Sequence, residues 1–325
     1  MPALKRLGID LAGLRMRKKH SERQDQTGDA FGFQWSKRVA YDSIAVKTDA
    51  RKWLFERYCH NRASILHEWL KGGRKIILDA GCGAGLSALL FFGRHLKHHD
   101  YLGVDVSAEA IDVVRTRFRE AGYPGEFLNM DLMDLPISNG SIDMIFSEGV
   151  LHHTDSVERS IKYLAKKLKP GGRFLFYVYL KKAAIREFTD DHIRRYLADM
   201  GNKEAWEALK PLTRLGMELG RQDFWISVPE DIPFLGIHKG KTSLQRFFYW
   251  NICKLFYKEQ YSLDEMNHMN FDWFRLLNCH RHTAGEIKRW CFEAGLNIEH
   301  SNIQKSGITI VAVKNRSEKK RSGKK

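Results

Sequence analysis

Five short apolar runs, several of them followed by apolar residues at helical spacing, constrain this chain more than any other feature. Residues 75–80 (KIILDA) read as a buried strand closed by Gly81, and a helical segment, LSALLFFGRHLKH, follows from Leu86. Residues 101–106 (YLGVDV) give a second strand, after which Ser107 caps a helix striped by Ile111, Val114 and Phe118. Residues 126–130 give a third, and the Asn139-Gly140 turn leads into a fourth, IDMIFSE. Val157, Ile161, Leu164 and Leu168 stripe another helix, stopped by Pro170-Gly171-Gly172 ahead of a fifth strand, RFLFYVY at 173–179. Strands that alternate with helices need crossover connections, and these produce a parallel sheet with helices on both faces. Regularity returns at Thr283-Ala-Gly-Glu286, a capping box opening a helix with Ile287, Trp290 and Phe292. Two strands at 297–301 and 307–313 follow, joined by a short turn. The expected fold is a doubly wound, mostly parallel, seven-stranded α/β sheet of Rossmann-like type with a closing antiparallel hairpin.

Between 181 and 282 the alternation stops. That stretch instead carries large aromatics, including Phe188, Tyr196, Trp206, Phe224, Trp225, Tyr249, Trp250 and Trp273, and reads as a helical insertion that forms a lid. No run of about 18 apolar residues occurs, so no membrane-spanning helix is expected. The net charge of +15 raises the question of a nucleic-acid partner. Residues 1–30 hold +3 and residues 314–325 hold +6, which leaves a modest +6 on the body, so a nucleic-acid surface is not expected. Leu4, Leu7, Leu11 and Leu14 lie at helical spacing among Lys5, Arg6, Arg15, Arg17, Lys18 and Lys19. Packing of that stripe on the domain is the expected fate, with weak peripheral contact to an anionic bilayer as the alternative. No apolar signal-peptide run follows these basic residues. The five cysteines (Cys59, Cys82, Cys253, Cys279, Cys291) are odd in number and lack CxxC spacing, which points to reduced thiols in a cytoplasmic protein.

The chemistry concentrates at Asp79-Ala-Gly81-Cys82-Gly83-Ala-Gly85, between the first strand and its helix. Glycines at such a turn let the backbone approach a ligand. A dinucleotide fingerprint would need glycine at 86, where this chain has Leu86. An acid two residues before Gly81 suits a ligand with a cationic amino-acid end better than a pyrophosphate, which argues against NAD. Asp105 ends the second strand, where a carboxylate can take ribose hydroxyls. Asp131 follows the third and can accept from the exocyclic amine of adenine, with Leu132 packing on the ring.

The ordered runs LDAGCGAG, GVDVS, MDLMDLP, FSEGVLHHT and LKPGG resemble class I S-adenosylmethionine-dependent methyltransferases of the UbiE/methyltransferase type 11 group, over about residues 75–180. Phe31-Gly-Phe-Gln-Trp35 is similar to an N-terminal element that some of these enzymes fold over the cofactor, and GEIKRWCFEAGLNIEHSNIQKSGITIVAVK is similar to their last helix and hairpin. The resemblance implies S-adenosylmethionine as cofactor. Asp79, Gly81 and Gly83 would hold its methionine end, Asp105 its ribose, and Asp131 with Leu132 its adenine. Cys82, Gly85, Val106, Ser147, Phe31 and Trp35 complete the expected cofactor set. It also divides the chain into a basic, partly disordered or amphipathic segment (1–30), cap helices (31–74), the cofactor-binding core (75–180 and 283–313), the lid (181–282) and a basic tail (314–325).

A sulfonium methyl needs an in-line nucleophile and exclusion of water, so positioning dominates, and a base helps where the acceptor is protonated. Glu148, His152 and His153 end the fourth strand, and His153, with His152 beside it, is the candidate base. Tyr179, Arg186, Asp272, Trp273 and His280 are the expected substrate contacts, flanked by Asp190, Asp191, His192, Phe274 and Arg275. His152 stands where related quinone O-methyltransferases carry an acid for a divalent metal, so no metal is expected. The Asn/Asp-Pro-Pro-aromatic and Pro-Cys motifs of nucleic-acid enzymes are absent. A small-molecule acceptor is therefore preferred, with O, N or C as the acceptor atom left open. An RNA or protein methyltransferase, or a membrane-peripheral lipid or quinone methyltransferase, is the alternative.

Overall fold

The computed structural model describes residues 2–9, 21–37 and 42–316. Before the sheet come α1 (Pro2–Leu7), α2 (Glu22–Ser36), α3 (Ile44–Cys59) and α4 (Ala63–Leu70). The wound core then runs β1 (Ile76–Ala80), α5 (Leu86–Phe92), β2 (Asp100–Asp105), α6 (Ala108–Glu120), β3 (Glu126–Asn129), β4 (Ile142–Glu148), α7 (Val157–Lys167) and β5 (Leu168–Tyr179). An insertion follows, made of α8 (Ala184–Leu197), α9 (Asn202–Arg221), β6 (Trp225–Val228), β7 (Gly240–Ser243), α10 (Leu244–Asn251) and α11 (Leu263–Phe274). The chain closes with α12 (Ala284–Glu293), β8 (Leu296–Ile303) and β9 (Gly307–Lys314).

Among the described residues, seven strands form one sheet in the order β3-β2-β1-β4-β5-β9-β8, with β1 to β5 parallel and β9 antiparallel to both β5 and β8. Strand β1 is buried throughout because helices cover both faces, which is why its sequence is a continuous apolar run. Strand order reverses between β1 and β4, and the crevice at such a switch point is where open α/β sheets hold ligands. The caps expected from sequence are present. Ser107 accepts from the Ala110 N–H, and Thr283 and Glu286 form a complete capping box.

Several expectations need correction. Strand β5 begins at Leu168, so Pro170-Gly171-Gly172 lies inside it and α7 has already ended at Lys167. There is no room for a side chain at Gly172: a Cβ would sit 3.1 Å from the Ile142 carbonyl oxygen on the neighbouring strand. The division at 30/31 falls within α2, which runs unbroken from Glu22 to Ser36. The insertion is mostly helical, as expected, but it includes the two-stranded β6–β7 hairpin. Leu4 is buried against the main core and its N–H donates to Glu126 at 2.8 Å, so this part of the N-terminal leucine stripe packs on the domain. Leu11, Leu14, Arg15, Arg17, Lys18, Lys19 and the tail from 317 to 325 lie outside the described residues.

The insertion has its own core, in which Trp206, Phe271, Trp273 and Phe274 are buried with Leu209 and Leu255. Ala30, Phe31 and Phe33 of α2 pack into the same cluster. At roughly 1.5–3 kcal/mol for each large apolar side chain buried, this contact is enough to fix α2 to the insertion. Together they cover the carboxyl edge of the sheet.

Candidate active site

The loop after β1 is pinned to its neighbour strand, because the N–H groups of Gly81 and Cys82 both donate to the Val104 carbonyl at 2.9 Å. Gly81 has φ +86°, and a Cβ there would lie 2.3 Å from the Val150 side chain, so only glycine fits. A Cβ on Gly83 would lie 3.0 Å from the Trp35 ring, which shows that α2 lies directly over the loop. Asp105 fastens the loop from the other side: its carboxylate accepts from the Gly83 N–H at 2.8 Å and the Ser107 N–H at 2.9 Å. Burial raises the Asp105 pKa against these bonds. Asp79 is buried with a hydrogen bond from the Tyr101 hydroxyl at 2.5 Å, and burial pushes its pKa up to about 7. Asp131 accepts from the Met133 N–H at 2.7 Å, which closes the loop that carries Leu132.

These groups line one cavity of about 540 Å³ that runs from the loop to the insertion. Phe31, Trp35, Asp79, Gly81, Cys82, Gly83, Gly85, Asp105, Val106, Asp131 and Leu132 all line it, so eleven of the twelve residues expected at the cofactor meet in one place. Ser147 does not. It is fully buried, and its hydroxyl donates to the Ala80 carbonyl at 2.7 Å, which braces β4 against β1. Burial also pushes the Cys82 thiol well up, so this cysteine is inert packing in the loop.

Past the end of β4 the two histidines separate in role. His153 lines the cavity, and its Nδ1 lies 2.7 Å from the Asn278 carbonyl. A carbonyl can only accept, so Nδ1 carries the proton and Nε2 keeps its lone pair. That Nε2 is buried and has no partner among the described residues. Burial lowers the His153 pKa to about 4, so the ring is neutral at physiological pH. His152 lies outside the cavity, fully buried, with its ring centroid 3.6 Å from that of Tyr179. His152 therefore supports Tyr179 from behind. Glu148 is tied to Arg57 at 2.8 Å and to the Tyr58 hydroxyl, so it holds α3 rather than a proton in transit.

On the insertion side, Tyr179, Arg186, Asp272 and Trp273 line the cavity as expected. The Tyr179 hydroxyl donates to Asp272 at 2.8 Å. His280 is the exception: it does not line the cavity, and its backbone N–H donates to the His152 carbonyl at 2.9 Å. Asp190 is internal, held by Arg186 at 2.6 Å and by the Trp273 indole N–H at 2.8 Å. Asp191 pairs with Arg194 and Arg281, and His192 is exposed against Phe188.

A model of the methyltransferase domain family matches residues 78–176. An uncharacterised methyltransferase of Mycobacterium bovis is 32% identical over 153 residues, which is 46% of this chain and 74% of that protein. The chain belongs to the class I S-adenosylmethionine-dependent methyltransferases. A demethylmenaquinone methyltransferase of Symbiobacterium thermophilum is 30% identical to this methyltransferase over 152 residues, covering 42% of the chain and 57% of the relative. A tRNA (carboxymethyluridine(34)-5-O)-methyltransferase of Mus musculus is 30% identical over 132 residues, covering 40% and 18%. The chain spans less than a third of the length of several curated relatives it matches, the mouse protein among them.

The buried loop in this methyltransferase suits the family's cofactor: its glycines leave room where a side chain would intrude, and Asp79 offers a carboxylate to a cationic amino-acid end. The sequence pattern does not single out Arg57, Lys182, Arg246, Lys254 or Lys258, which also line the cavity. Lys254 left a signal, since it is a lone charge in the apolar run Ile252-Cys253-Lys254-Leu255-Phe256. Lys182 and Arg246 left none, because only the packing of the insertion brings them to the site. No helix among the described residues is long and apolar enough to cross a membrane.

Proposed function

We propose that this chain methylates a small molecule held between the glycine loop and the insertion, with His153 Nε2 as the proton acceptor. One observation carries the reading: the loop residues, His153 and the insertion aromatics Tyr179, Tyr249, Trp250 and Trp273 line the same cavity. Bound S-adenosylmethionine supplies an electrophilic sulfonium methyl. Asp79 holds a cationic amino-acid end, Asp105 a ribose, and Asp131 with Leu132 an adenine. Helix α2 lies over that half of the cavity and limits water through Phe31 and Trp35. Phe31 also meets the His153 ring edge-on, at 5.4 Å between centroids, which keeps the imidazole in place. The Asn278 carbonyl fixes its tautomer, so Nε2 is available to an acceptor hydroxyl, amine or acidic carbon.

A small acceptor suits a cavity of about 540 Å³ with aromatic walls. An RNA acceptor is favoured by the likeness to the mouse tRNA methyltransferase and by the net charge of +15. Incubation with radiolabelled methyl donor and host extract, fractionated into small molecules, RNA and protein, separates the two. The expected result is label in the small-molecule fraction. Label confined to RNA or protein overturns the proposal.

A further inference from the structure

The half of the cavity away from the glycine loop has a charge of its own. The Trp273 indole is surrounded by cations: Lys182 lies 5.7 Å, Arg186 5.5 Å and Lys254 5.0 Å from its ring centroid. All three line the cavity, and so does Arg246, which lies 5.5 Å from the Tyr249 ring centroid. Three carboxylates stand near these four cations, and each has partners of its own. Glu187, beside Lys182, takes the Lys182 backbone N–H at 2.6 Å and Arg281 Nε at 2.8 Å. Asp190 takes Arg186 Nε at 2.6 Å, the Trp273 indole N–H at 2.8 Å and the Lys254 backbone N–H at 3.2 Å. Asp272 takes the Tyr179 hydroxyl at 2.8 Å.

Among the described residues, the hydrogen bonds of the two lysine ammonium groups go to neutral carbonyls. Lys182 Nζ donates to the carbonyls of Lys305 at 2.5 Å and Ser306 at 2.8 Å, and Lys254 Nζ donates to Met269 at 2.6 Å. Arg246 makes no ion pair with a described residue. Cations removed from water without carboxylate partners are costly, and they raise one another's cost. The effect shows in both lysines: burial, with Arg186 nearby, brings Lys182 down to about 7 and Lys254 to about 8. At the other end Asp79, Asp105 and Asp131 crowd the loop, so the cavity is acidic where the cofactor's cationic end belongs and basic where the acceptor belongs. Between the two poles stand flat apolar walls from Tyr179, Tyr249, Trp250 and Trp273.

We propose that the methyl acceptor is a small anion with a flat, apolar body, its carboxylate or phosphate group seated among Lys182, Arg186, Arg246 and Lys254. An anion there supplies the charge these side chains lack and accepts charge-assisted hydrogen bonds from guanidinium and ammonium groups. The inference rests on the methyl-transfer reading and adds the class of acceptor.

The test is calorimetry on the full chain saturated with S-adenosylhomocysteine, titrated with 2-naphthoate and 2-naphthyl phosphate and with the neutral partners 2-naphthamide and 2-naphthol. Each anion is expected to bind about tenfold or more tightly than its neutral partner, the yield of one charged hydrogen bond. The tighter of the two anions then distinguishes carboxylate from phosphate. Arg246→Gln, on the half-buried face of α10, should reduce the preference to about threefold or less while S-adenosylhomocysteine affinity stays within about twofold. Lys254→Met should do the same and gives an independent arm from a different element. Neutral probes that bind as well as the anions overturn the inference, as do anions that fail to bind, or a preference that survives in Arg246→Gln. Failure of S-adenosylhomocysteine to bind at all strikes the methyl-transfer reading instead and is seen before any probe is added.

Discussion

Under the proposed function, Asp79 has to serve two purposes that pull its chemistry apart. Burial disfavours its charge and lifts its pKa to about 7, yet a cationic ligand end needs that charge present. Affinity for S-adenosylhomocysteine should therefore rise with pH up to about 7 and then level, falling by up to about tenfold per pH unit below it. Calorimetry from pH 5.5 to 8.5 checks this, and a flat profile removes Asp79 from the ammonium. Asp79→Asn should abolish the pH dependence and weaken binding. It should also stabilise the ligand-free protein above pH 7 by roughly 1–3 kcal/mol, because a buried charge is removed while an acceptor for Tyr101 remains. His153 makes a different prediction. Its pKa near 4 keeps the base form down to acidic pH, so kcat measured at saturating S-adenosylmethionine should show no loss as pH drops through 6.5. His153→Ala should lower kcat by about 100-fold or more with cofactor affinity nearly unchanged. A variant with wild-type kcat excludes the base.

At the scale of elements, the proposed function makes α2 the cofactor's cover, since Trp35 lies over Gly83 and Phe31 against His153. Trp35→Ala should weaken S-adenosylhomocysteine binding by about tenfold, with the melting temperature of the ligand-free protein little changed, because the ring covers a cavity rather than filling the core. Unchanged affinity in that variant would mean that α2 shields nothing. The elements were legible in the sequence where their signals were local. The βα alternation, the Ser107 cap, the Thr283 capping box and the glycine loop each announce themselves within a few residues, and each is found in place. Pro170-Gly171-Gly172 misled because Pro and Gly ordinarily stop an element, whereas here they begin β5, where Gly172 lets the backbones approach. Ser147 could not be separated from true lining residues, because helices cover both faces of this sheet and every residue on such a strand faces something, while His152 and His280 lie in connections after β4 and before α12, where no periodicity shows which side chains turn into the cavity. Lys182, Arg246 and Lys254 come from three parts of the insertion, and no local pattern encodes a meeting that tertiary packing makes.

For the whole molecule, buried histidines outweigh the net charge in deciding where it is stable. His152, His153 and His268 are buried and neutral; the last two have pKa values near 4, and burial holds His152 well below 6.5. In the unfolded chain all three regain values near 6.5. Between pH 6.5 and 4 the unfolded state therefore binds about three more protons than the folded state at these sites, so stability is lost as pH falls through that window. Asp79 opposes the trend by one proton, since its raised pKa lets the folded state hold a proton that the unfolded state releases. At these four sites the balance is about two protons, or roughly 2–3 kcal/mol per pH unit near pH 5, a large part of the 5–15 kcal/mol that holds a typical domain together, and His99, which burial lowers to about 4, adds to the loss. Urea midpoints measured between pH 7.5 and 4.5 should therefore fall steeply below about 6.5. The histidines can be tested singly, because His152 makes no hydrogen bond to a described residue through either ring nitrogen and lies outside the cavity. His152→Leu should raise the midpoint at pH 5 more than at pH 7.5 and make the acid limb shallower by one proton. A midpoint that stays flat to pH 5 in the parent protein, or a His152→Leu limb as steep as the parent's, would mean that these rings already carry their charge inside the fold.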